Sequence, residues 1–95
     1  MNTGEAKSIL SECLRSYRER PYSELAACVS KNRVEAKEIT APSGARYQVE
    51  IVFVWDDKKK ANVRVIGSID DGGIRALVPV SDDCIISPQG YFVGE

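Results

Sequence analysis

The side chains with the most chemical potential in this chain are acids beside glycines: Asp70-Asp71-Gly72-Gly73, set in the stretch SIDDGGIRA. Paired carboxylates with turn glycines invite two readings, a cation loop or a phosphate cradle. A calcium loop of the EF type needs oxygen ligands at alternating positions and a distal bidentate Glu. Here Ile74-Arg75-Ala76-Leu77 follows with no acid. A phosphate cradle needs a helix N-terminus after the glycines, whereas Ile74 to Val80 alternates as a strand does. Asp and Gly also suit the positive φ of a type I′ turn, so the stretch is expected to be a two-residue hairpin turn.

The rest of the inventory narrows the chemistry further. Histidine is absent, which removes Ser-His and Cys-His nucleophile pairs and His-ligated zinc. Cys13, Cys28 and Cys84 are odd in number and far apart. They are expected as buried thiols rather than as a disulfide framework or zinc site. No catalytic residue, metal ligand or cofactor is expected. Lys58-Lys59-Lys60 is the one basic run, without interleaved aromatics for base stacking, so nucleic acid is an unfavoured partner. Thirteen basic and fourteen acidic side chains leave a net charge of -1, and no long-range field draws in a polyanion.

These residues must be positioned by a small fold. Ninety-five residues fit one domain, 1–95. Ile9, Leu10, Cys13, Leu14 and Tyr17 recur at threes and fours, which predicts a helix from Gly4 to Glu19. Pro21 predicts a break near Arg20 and a short second helix ending near Ser30, so that residues 4–30 are helical. The period then becomes two. Val34, Ala36 and Ile39 form a weak first strand, closed by Ala41-Pro42-Ser43-Gly44. Tyr47, Val49, Ile51, Phe53 and Trp55 form the core face of a strong second strand.

After the polar connection 56–62, Val63, Val65 and Ile69 mark a third strand, with Gly67 interrupting its core face at a bulge or a close helix crossing. Ile74 to Val80 is expected as the fourth strand, Ser81-Asp82-Asp83 as a turn, and Cys84-Ile85-Ile86 and Tyr91-Phe92-Val93 as short closing segments. The expected fold class is therefore α+β: an N-terminal helical segment packed on an antiparallel meander of four to six strands, 33–95.

Two candidate surfaces follow. On the sheet face turned away from the helices, Val52, Val54, Ile66 and Leu77 lie among Arg64 and Arg75. Such a mixed face suits burial by a protein partner or a second copy, as in a homodimer, or cover by the chain's own tail. Between the helices and the sheet, Tyr17, Tyr22, Tyr47 and Trp55 are candidate lining for a small-ligand pocket, in which Tyr and Asp could do acid-base work without His. The first surface supports the preferred reading, a non-enzymatic interaction protein that acts through an exposed sheet face or sheet edge, as a homodimer or with a protein partner. The second supports the alternative, a ligand binder or modest enzyme.

No apolar run approaches the roughly 20 residues that span a bilayer, and the N-terminal MNTGEAKSIL lacks a signal-peptide pattern; a cytoplasmic location is expected. From Tyr47 onward, VEIxxxWDD, VRVIGSIDDGG, RALVP and SPQGYFVGE together resemble a small family of bacterial proteins of unassigned activity. The resemblance implies no functional residue.

Overall fold

The computed structural model describes residues 3–72 and 80–93. Helix α1 spans Thr3–Arg18 and buries Ala6, Leu10, Leu14 and Tyr17, one stripe at steps of four, four and three. Glu5 sits in its first turn and Arg15 and Arg18 in its last, matching the helix dipole. The helix closes with tight i→i−3 bonds from the Glu19 and Arg20 amides. Pro21 then caps α2, Tyr22–Ser30, with φ −58° and ψ 142°. Its carbonyl accepts from the Glu24 and Leu25 amides. Asn32, at φ 51°, turns the chain out of α2 in the left-handed conformation that Asn tolerates.

Among the described residues five strands follow: β1 (Val34–Thr40), β2 (Arg46–Trp55), β3 (Val63–Asp70), β4 (Val80–Ile86) and the two-residue β5 (Phe92–Val93). They pair in chain order and antiparallel throughout. The expected α+β meander behind two helices is thus the fold. The core lies where the odd-numbered face of β2 and β3 meets the helices. Tyr47, Val49, Ile51, Phe53, Val63, Val65 and Ile69 are buried there with Leu10, Leu14, Tyr17 and Leu25.

Gly67 occupies the centre of that face because α1 crosses it closely. A Cβ built on Gly67 would stand 2.7 Å from Leu10 Cδ1 and 3.2 Å from Ile51 Cδ1. The interruption read in the sequence is therefore a helix crossing. α1 packs chiefly on β3 and β4, and α2 on β2 and β3, so both helices leave the β1 edge largely bare.

The DDGG expectation needs correction. Ile69 pairs with Val80, so no two-residue hairpin closes over Asp71-Gly72. Ser81-Asp82-Asp83, expected as a turn, lies within β4. The ladder prevails over turn propensity there because Cys84 and Ile86 are buried on the core face and Asp83 finds an arginine partner, Arg64. The local turn chemistry itself is present. Asp70 Oδ1 accepts from the Gly72 amide at 2.8 Å, and Gly72 holds φ +82°. The strand expected from Ile74 to Pro79, including Arg75 and Leu77, lies outside the described residues.

Candidate interaction surface

The open face of the sheet is built by the even-numbered residues of β1, β2 and β3 and the odd-numbered residues of β4. Register places Val34, Val52 and Ile66 side by side, with Asp83 beyond them. The next row runs Val54, Arg64, Ile85, and the row on the other side Ala36, Glu50, Ser68, Ser81. An apolar band thus crosses the sheet and reaches the β1 edge, where Val34 is 55% exposed. Val52, Val54, Arg64 and Ile66, expected on this face, are together on it and half-buried.

Arg64 anchors one end of the face. Its Nε and Nη2 donate to Asp56 Oδ1 at 3.0 and 2.6 Å, and Nη1 donates to Asp83 Oδ2 at 2.6 Å. The bonds to Asp56 foremost, and the charge of Asp83, hold the guanidinium more firmly protonated than usual. One cation thus ties the β2–β3 connection to β4. At the opposite end, a shallow cleft of about 480 Å³ is lined by Glu38, Glu50 and Asp70 with Gln48, Ser68 and the β1 backbone neighbours Ala36 and Lys37.

The β1 edge has a definite hydrogen-bonding polarity. The Ala41 amide donates to the Ala45 carbonyl at 2.8 Å, which makes that pair a hydrogen-bonded one in the β1–β2 register. Alternation along an antiparallel ladder then turns the backbone groups of Glu35, Lys37 and Ile39 toward β2. Those of Val34, Ala36, Glu38 and Thr40 point away from β2, to an edge that no other strand among the described residues pairs.

On the helix side, β1 carries a charge cluster that sequence reading missed. Arg20 grips Glu35 with both terminal nitrogens, Nη1 to Oε2 and Nη2 to Oε1, each at 3.1 Å. Tyr17 donates its hydroxyl to Glu35 Oε1, and Arg33 Nε lies 3.7 Å from Oε2. The Arg20 guanidinium carbon also sits 4.2 Å above the Tyr17 ring, a cation–π distance. The Arg20 bonds foremost hold the Glu35 carboxyl below its ordinary range. Burial, and then the Glu35 bond, push the Tyr17 hydroxyl well above its own. The available sequence signal was slight: Glu35 shares the parity of Ile39, the helix-facing side of β1, but its partners lie 15 and 18 residues away.

The four aromatics named for a pocket do not converge on one. Tyr17 is tied to Glu35, Tyr22 donates to the Ala61 carbonyl, and Tyr47 donates to Glu5 Oε1 at 2.8 Å. Trp55 is a half-buried rim of the core. Each hydroxyl fastens one element to another: Tyr22 holds the 56–62 connection, and Tyr47 holds the start of α1. A smaller cleft of about 320 Å³ between α2 and β1 is lined by Arg20, Lys31, Arg33, Glu24, Glu35 and Cys28.

Neither Tyr17 nor Cys13 is poised for proton transfer or nucleophilic attack. Tyr17 is harder to ionise than a free tyrosine, and burial raises the Cys13 thiol as well, which lowers its thiolate fraction. Among the described residues no cluster of three His, Cys, Asp or Glu could hold a metal ion, and no helix is long and apolar enough to cross a membrane. Lys58, Lys59 and Lys60 are exposed in the β2–β3 connection. Comparison with protein-family models, with curated proteins and with solved structures returns no match, so the reading of this surface rests on its own geometry.

Proposed function

We propose that this protein is a small, non-enzymatic interaction protein of the cytoplasm that binds a protein chain, its own or another, through the free edge and open face of its sheet. The observation that carries this reading is β1: a seven-residue edge strand whose exposed Val34 continues an apolar band into Val52 and Ile66. A long edge strand that no neighbour pairs can accept an added strand, and the apolar band offers side-chain burial beside the backbone bonds. β5 pairs with Ile85 and Ile86 of β4, in the plane of the sheet rather than across its open face. Cys13, Cys28 and Cys84 are reduced thiols, which suits a reducing compartment.

The test is photo-crosslinking in cells with a benzophenone side chain placed at Val34 or Val52, and at Arg15 on the exposed side of α1 as the control. Discrete protein adducts from positions 34 and 52, and none from 15, are expected. Absence of adducts from both sheet positions would refute the reading.

A further inference from the structure

We propose that two copies of this chain join edge to edge through β1, antiparallel about a two-fold axis at Ala36, to make one continuous sheet. This rests on the interaction reading above and adds to it the occupant and the register.

The argument begins with which backbone groups are free. Val34, Ala36 and Glu38 turn their N–H and C=O to the open edge, as the Ala41–Ala45 bond requires. A two-fold axis that relates antiparallel edge strands stands normal to the sheet. It pairs residues of like parity and keeps both copies' helices on one side. With Ala36 on the axis, Ala36 meets Ala36 of the second copy and Val34 meets Glu38, every one of them an outward-facing residue. The ladder is then satisfied without moving either strand.

Charge selects this register from its neighbours. Glu35 and Lys37 of one copy fall opposite Lys37 and Glu35 of the other, at the non-hydrogen-bonded sites where side chains approach most closely. Shifting the axis by one residue toward the N-terminus sets Glu35 against Glu35. One residue toward the C-terminus sets Lys37 against Lys37, and two residues set Glu38 against Glu38. Like charges directly opposite destabilise a pair. Axes nearer either end of β1 overlap too few residues to form a ladder. The acid is held ionised in place by Arg20. Lys37 is exposed beside it, with its ammonium 5.4 Å from the Tyr17 ring. The small Ala36 side chain at the axis lets the two strands approach. Edge pairing of this length buries little surface, in the class of weak associations below about 1,200 Å², so the dimer forms at high protein concentration.

Sedimentation equilibrium from micromolar to millimolar protein concentration tests the proposal. The wild-type mass should rise from 10.5 kDa toward twice that value, less readily in high salt. Ala36→Pro removes an N–H that the monomer does not use and sets a ring on the free edge, where proline is tolerated. It should stay monomeric with an unchanged circular dichroism spectrum. Lys37→Glu, which opposes Glu to Glu, should lose association as well. A wild type that is monomeric throughout, or a dimer that survives Ala36→Pro, overturns the β1 pairing. If such a surviving dimer is instead lost in Val52→Lys, or if a monomeric chain gives adducts to a different protein from position 34, the interaction reading stands while the self-pairing falls.

Discussion

Adding one methyl group at Gly67 probes the contact that seats α1 on the sheet. The new Cβ would lie 2.7 Å from Leu10 Cδ1, 3.2 Å from Ile51 Cδ1 and 3.4 Å from Leu14 Cδ2. Leu10 and Ile51 are at most 1% exposed, so neither has solvent into which to retreat. Leu10 must back away by roughly 1 Å to regain normal carbon–carbon contact, which it does only by an off-rotamer turn or by lifting the helix. Overpacking of this kind costs about 1 to 3 kcal/mol. It is offset in part by the roughly 0.5 to 1 kcal/mol gained when Ala replaces Gly within a strand.

Gly67→Ala should therefore cost a net of up to about 2 kcal/mol, lowering the urea midpoint and the melting temperature by up to roughly 15 °C. Leu10→Ala alone should cost about 2 to 5 kcal/mol through the cavity it leaves. Combined, the two should cost less than their sum by about 1 kcal/mol or more, since the truncated Leu10 vacates the space the methyl enters. A stabilising Gly67→Ala, or strict additivity in the cycle, would refute the close crossing.

Further outcomes follow from the charge cluster and the thiols. Because Arg20 holds the Glu35 carboxyl below its ordinary value of 4.5, its contribution to stability should be complete above that pH. It should be lost as pH falls through the lower folded-state value; the stability gap between wild type and Glu35→Gln, measured by urea unfolding, should narrow there. At the other extreme, Tyr17 resists ionisation beyond its usual 10. Ultraviolet titration should show a late-ionising tyrosine that Tyr17→Phe removes, and a titration unchanged by that substitution would count against the Glu35 bond. Cys13 is partly exposed while Cys28 and Cys84 are buried; a thiol reagent should modify Cys13 first in the native protein and all three only in denaturant.

What could be read in advance depended on how local each cause was. The odd-numbered face of β2 was legible because five apolar residues at period two admit one orientation against the helices. Gly67 was legible as an interruption because its neighbours Val65 and Ile69 defined the face it broke. Asp71-Gly72 misled because turn chemistry specifies a local bend but not which strands it joins; the pairing of Ile69 with Val80 is set by burial of Cys84 and Ile86 much further on. Ser81-Asp82-Asp83 misled for the same reason, its aspartate being held by Arg64 across the sheet. The Tyr17–Arg20–Glu35 cluster left almost no pattern, since its members are distant in sequence. Of the candidate surface, Val52, Val54, Arg64 and Ile66 followed from alternation alone. A sheet edge was an expected alternative, but that β1 forms it did not follow, because edge status depends on strand order.

The most direct test of the account is residue-resolved amide hydrogen exchange along β1, in dilute protein and again under conditions where the chain is associated. The Glu35, Lys37 and Ile39 amides face β2 and should exchange slowly in both. Those of Val34, Ala36 and Glu38 face outward, and should exchange fast when dilute and become protected on association. Outward amides that stay fast in the associated state would contradict the claim that this edge is where the protein binds.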